Sequence, residues 1–113
     1  MHEVGIMHET IALAVRRARE AGAHRILEIR LRVGALSGVV PEALEFAFEL
    51  LRAGTLAESA RLQIVPVPAT CWCASCRDEF GVPDLIAECP RCGQPSAELR
   101  RGRELELDSL EID

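Results

Sequence analysis

The sequence predicts an α+β fold: two helices packed on a three-stranded sheet, with an inserted zinc-ribbon-like domain that carries four paired cysteines. Three observations predict it. Apolar residues recur at helical spacing in two segments and alternate in three others. All five cysteines crowd into residues 70–94, a stretch with little periodicity.

The elements follow in order. Val4, Met7, Ile11, Ala14, Val15 and Ala18 repeat at helical spacing from about residue 4 to Ala21, and Gly22 suits the left-handed position past a helix end. In RILEIRLRVG, Leu27, Ile29, Leu31 and Val33 alternate with Glu28, Arg30 and Arg32, which describes a strand with one buried face, stopped by Gly34. GALSGVV is a loop. Pro41 opens the second helix where its missing N–H costs nothing, Leu44, Ala47, Phe48 and Leu51 form the inner stripe, and Gly54 ends it. ARLQIVPVP is the second strand, with Pro66 and Pro68 marking a sheet edge or exit. In the tail ELELDSLEID the apolar positions switch from Leu105 and Leu107 to Leu110 and Ile112, so a bulge is expected near Asp108 and Ser109. The expected division is therefore residues 1–69 with 95–113 as an α/β domain, and residues 70–94 as the metal-stabilised insertion.

Composition narrows the function. The chain of 113 residues is 49% hydrophobic and 27% charged, with net charge −5. That balance opposes general affinity for nucleic acid or anionic membrane. Within residues 70–94, Arg77 and Arg91 face four carboxylates, so no basic stripe accompanies the cysteines. No segment reaches the length of a membrane span, and the start MHE lacks the basic and apolar regions of a signal peptide. A cytoplasmic location with reduced cysteines is the expectation. No nucleophile, base and oxyanion set and no phosphate-cradling glycine loop is present, so no enzyme is expected. The sheet edge and the proline-marked exit admit a monomer or a weak homodimer.

The cysteines form two knuckles. Cys73 and Cys76 make one C-x2-C pair and Cys89 and Cys92 the other. Two-residue spacing aims both sulfurs of a turn at one ion, and two such turns complete a tetrahedral thiolate shell. Four thiolates leave no open position, so the site reads as structural. Zn2+ is favoured; iron in a rubredoxin-like electron carrier is the rival, although such sites lie in an aromatic shell and only Trp72 and Phe80 are near here. Cys71 reads as a bystander thiol, because C-x-C is the poorer knuckle.

The opening MHEVGIMHE repeats Met-His-Glu at residues 1–3 and 7–9. All 13 basic side chains are arginine, so the Met1 α-amine is the only primary amine. That amine and the adjacent His2 ring can reach one ion, with nearby backbone amides as further nitrogen donors. A nitrogen-rich, near-planar set suits Ni2+ or Cu2+. A solvated helix start fits the same residues, so both readings stand at this level. His8 falls off the apolar stripe and reads as a solvated helix residue; His24 reads as a turn residue.

Taken together, MHE at the start, VGALSGVVPEALEFAFE followed by GTLAE, two C-x2-C pairs and a closing SLEI resemble the HypA/HybF family across essentially the whole chain. That resemblance implies a nickel metallochaperone for [NiFe]-hydrogenase maturation and, in some members, urease. It assigns nickel to His2, with Met1 through its amine and Glu3 largely through backbone nitrogen. It assigns structural zinc to Cys73, Cys76, Cys89 and Cys92. The implied partners are a nickel-binding GTPase of the same maturation system and the hydrogenase large-subunit precursor. Two departures stand out. Many members carry an acid near the end of the loop before the second helix, where this chain has Val40, with Glu42 the nearest carboxylate. Some members place histidine beside the zinc cysteines, where this chain has Arg77 and Gly93. The competing class is a zinc-stabilised adaptor without nickel cargo.

Overall fold

A computed structural model describes residues 2–83 and 86–113. Its elements are α1 (Glu3–Glu20), β1 (Ile26–Gly34), α2 (Pro41–Leu51), β2 (Arg61–Val67), β3 (Thr70–Cys73), β4 (Asp78–Gly81), β5 (Leu99–Arg101) and β6 (Leu105–Ile112). They build two three-stranded sheets, ordered β2-β1-β6 and β4-β3-β5. The class is α+β, as the periodicities predict.

The first sheet centres on β1, the most apolar strand. β2 joins it parallel, after the α2 crossover, and β6 joins it antiparallel. Ile29, Leu31 and Val33 project into the core as the alternation requires. Ile26, not Leu27, is the fully buried residue at the strand's start. The cause is a register shift between Ile26 and Glu28, which puts the first residues out of phase with the rest. A second shift pairs Arg30 with Ser109 but Leu31 with Leu107, so Asp108 bulges out where the apolar phase of the tail switches.

Both helices cover this sheet. α1 buries Met7, Ile11, Ala14 and Ala18, one stripe at three- and four-residue steps. Gly22, at φ 75°, turns the chain out of α1, a conformation that an L side chain resists. α2 begins with Pro41 and buries Leu44, Ala47 and Phe48. Phe46 and Leu50 point outward from the same helix.

The expected close of the insertion at residue 94 falls short. Leu99–Arg101 forms the third strand of the small sheet, with Leu99 packed on its core and the Trp72 N–H donating to the Glu98 carbonyl at 2.9 Å. A three-residue strand with two exposed arginines has no period to read. The chain rejoins the first sheet only at Leu105.

The two sheets meet at a narrow crossing. The Gly34 N–H donates to the Glu104 carbonyl at 2.7 Å, the Ala35 N–H to Val67 at 2.9 Å and the Leu36 N–H to Gly102 at 2.6 Å. Gly102 adopts φ 128°, and its backbone lies where a side chain on Gly34 would have to stand. Leu36 then packs against the small core of Ala69, Cys71, Phe80 and Val82. A side chain from the loop after β1 thus pins the cysteine module to the larger sheet.

Candidate metal centre

Local backbone chemistry places the four paired cysteines. Cys73 ends β3 and Cys76 follows one turn later; the Cys76 N–H approaches the Cys73 sulfur at 3.5 Å. Arg77 then donates its N–H to the Cys73 carbonyl at 2.8 Å. The second turn repeats this plan, with the Gly93 N–H bonding to the Cys89 carbonyl at 2.8 Å. The residue after each pair is left-handed, Arg77 at φ 53° and Gly93 at φ 75°. Left-handed geometry is cheap for glycine and costly for arginine. Arg77 is the only non-glycine residue with positive φ among the described residues, so the turn that carries the first sulfur pair fixes its conformation.

The four Sγ atoms lie within 4.8 Å of one another. Cys73 and Cys92 are 3.5 Å apart, and Cys76 and Cys89 are 3.9 Å apart. Metal–sulfur bonds of about 2.3 Å in a tetrahedron set sulfur–sulfur edges of about 3.8 Å. The geometry therefore fits a thiophilic tetrahedral ion, and all five cysteines are free thiols, not disulfides. Backbone N–H groups of Cys92 and Arg91 pull the Cys89 thiol down to about 6. Cys76 is pushed up to about 12, first by Cys92 and then by burial. Thiols this close raise the cost of carrying negative charge together, which a divalent cation bound among them offsets. An Arg91–Asp78 ion pair at 3.1 Å ties the second turn to the strand that follows the first.

Cys71 stands apart from the four. It points into the small core with Phe80, Val82 and Leu99, and the group of four sulfurs that can share an ion does not include it.

At the other end, His2 is exposed and is the N-cap residue of α1. Its backbone leaves the helical region, at φ −97° and ψ 80°, and its ring makes no capping bond. Its carbonyl accepts the Ile6 N–H at 3.1 Å, so the main chain is anchored while the imidazole stays free of the helix end. Glu3 behaves differently. Its carboxylate accepts the Val40 N–H at 3.2 Å, a bond to the backbone of the residue that precedes α2, whose own side chain makes no cap. That N–H, and then Glu3's own, hold the carboxyl below its ordinary range. The bond brings the start of α1 to the start of α2, a juxtaposition no sequence signal announced. Glu42 is exposed on the first turn of α2. His8 is exposed on α1, and His24 lies in the turn before β1, where its N–H donates to the Asp113 carbonyl at 2.9 Å. Met1, the expected amine donor, lies outside the described residues.

Among the described residues, no helix is long and apolar enough to cross a membrane. A family model described as "Hydrogenase/urease nickel incorporation, metallochaperone, hypA" matches residues 1–112. A Picosynechococcus protein named hydrogenase maturation factor HypA is 53% identical over 112 residues, 99% of each chain. One of the same name from Chloroflexus aggregans is 43% identical over 98% of each. In structure, the chain resembles the Ni metallochaperone HypA from Helicobacter pylori with a TM-score of 0.69 at 28% identity, covering 99% of this chain and 97% of that one. With a family model that matches residues 1–112 and end-to-end similarity to these relatives, this chain belongs to the HypA family of nickel-incorporation metallochaperones, which are maturation factors and not enzymes.

Proposed function

We propose that the chain captures Ni2+ at its extreme N-terminus and delivers it during [NiFe]-hydrogenase maturation, and in urease-bearing cells to urease as well. The ligands are the His2 ring, the Met1 amine and backbone nitrogen at His2 and Glu3. Cys73, Cys76, Cys89 and Cys92 hold a structural Zn2+ that shapes the small module. Delivery runs to a nickel-binding GTPase of the same system and to the hydrogenase large-subunit precursor, in the cytoplasm, where thiols stay reduced.

The observation that carries the reading is the division of labour in the first helical turn. His2 offers an exposed, uncapped imidazole. The Glu3 carboxylate is engaged by Val40, which leaves its backbone nitrogen, not its side chain, as its contribution to a metal. A nitrogen-rich set at a chain end suits a cargo ion that must leave again, because no folded cage has to open. Four clustered thiolates suit an ion that stays.

The test is metal stoichiometry with Ni2+ titration on wild type, on His2→Ala, and on protein extended by one residue before Met1. One tightly held zinc, and one nickel that weakens sharply in both variants, is the expected result. Equal nickel binding in all three would refute the N-terminal site and leave the zinc-stabilised adaptor as the reading.

A further inference from the structure

Among the described residues, six large apolar side chains are exposed, and four of them lie on the helical layer: Val4, Val40, Phe46 and Leu50. Phe46 is 66% exposed and Leu50 is 59% exposed. They are four residues apart and so form one ridge on the outside of α2. Leu44, Ala47 and Phe48 already supply that helix's inward stripe, so the ridge contributes nothing to the core.

Beside it runs a second line of exposed residues, Glu42, Glu45 and Glu49, also at three- and four-residue steps. α2 contains no basic residue. Glu49 is paired with Arg52 at 2.9 Å, and no ion pair engages Glu42 or Glu45 among the described residues. An apolar ridge with an acidic border selects its partner by charge. A second copy of the chain would set the same carboxylates against each other, and nucleic acid or an anionic membrane would be repelled.

We propose that the outward face of α2, with Phe46 and Leu50 as anchors and Glu42 and Glu45 as charged rim, docks a partner protein that presents an apolar pocket bordered by arginine or lysine. Position supports it. Val40 caps α2 and holds Glu3, the neighbour of His2. At the rise of an α-helix, Phe46 and Leu50 lie about 9 and 15 Å along the axis from that cap. A partner seated on the ridge therefore brings its own surface beside the N-terminal hook, where a metal ion can pass without crossing open solvent. The identity of the partner rests on the nickel-delivery reading above; the surface itself does not.

The probes are the purified nickel-binding GTPase of the chain's own maturation system and the purified hydrogenase large-subunit precursor, each titrated at low and at high salt. For at least one probe, Phe46→Ala with Leu50→Ala weakens binding at least about tenfold. Glu42→Arg with Glu45→Arg weakens it at low salt and flattens its salt dependence. All four positions are exposed, so zinc content and Ni2+ stoichiometry stay at wild-type values. His2→Ala loses nickel and keeps docking, which separates failure of the metal site from failure of this surface. The proposal is overturned if wild type binds neither probe, if neither double variant changes binding, or if the ridge variant only converts a self-associated chain to a monomer.

Discussion

Gly34→Ala adds one methyl group where the two sheets cross. At that point an added Cβ overlaps the Gly102 carbonyl and the Arg103 nitrogen, which are backbone atoms with no rotamer to change. The chain has to move instead. Movement strains the Gly34–Glu104 and Leu36–Gly102 hydrogen bonds, at 2.7 and 2.6 Å. Overpacking of this kind costs about 1–3 kcal/mol, and each compromised backbone bond adds about 1 kcal/mol. The sum is about 3–5 kcal/mol, a large share of the roughly 5–15 kcal/mol that holds a small domain. Gly5→Ala is the internal control. It makes the same chemical change inside α1, where nothing lies within 4 Å of the new Cβ, and it should be neutral or stabilising by up to about 1 kcal/mol. Urea unfolding followed by circular dichroism, at matched metal content, reads both. If Gly34→Ala unfolds at the wild-type midpoint with an unchanged slope, the crossing is not tight and the modules are joined more loosely than the backbone bonds imply.

Three further outcomes follow from the same geometry. Cys92→Ser should lose the structural metal and the protection of the small sheet's amides against hydrogen exchange, whereas Cys71→Ser should keep one metal per chain by mass spectrometry, because its sulfur lies in the core and not in the cluster. Arg77→Gly should stabilise the metal-loaded protein by about 1 kcal/mol and Gly93→Ala should destabilise it by about the same, since both positions need left-handed backbone; unfolding midpoints decide it. Glu3→Gln should destabilise the fold near neutral pH, and its difference from wild type should vanish in acid. The Glu3 carboxyl is held low in the folded state, so its contribution is complete above the unfolded value of about 4.3 and disappears as pH falls through the folded value. Metal loss in acid affects both proteins and cancels in the difference.

Where a residue's neighbours are local in sequence, its role was legible. The α1 stripe, the Pro41 start, the Asp108 bulge and the two sulfur pairs all follow from spacing, because helix period, strand period and knuckle geometry act over a few residues. Where the neighbours are distant, the sequence was silent. Nothing in GALSG shows that Leu36 plugs the small core or that Gly34 meets Gly102, since both depend on segments more than sixty positions apart in part. Alternation alone places Leu27 inward, but the shift beside it obeys the partner strand, and Ile26 takes the buried position. The brief β5 carries no sequence signal, because three residues with two exposed arginines have no period.

The loop of residues 35–40 draws these distant contacts together. At one end Leu36 sits in the core beside the cysteine module. At the other, Val40 offers its N–H to Glu3, one residue from His2. Here a carboxylate reaches Val40 from Glu3, across the helix starts. The consequence is directional. At the proposed N-terminal nickel site, a side-chain carboxylate from the loop would add a hard oxygen ligand, whereas the Glu3–Val40 bond uses the carboxylate to fix the backbone and would leave the ion to nitrogen donors. Val40→Asp should therefore do two things at once: accept the N–H of Glu42 or Ala43 as a side-chain cap for α2, and offer an oxygen to an ion at the proposed N-terminal site. Tighter Ni2+ binding with slower release to a chelator is the expected outcome, read by competition titration and stopped flow; unchanged affinity and release would mean that residue 40 does not face the metal.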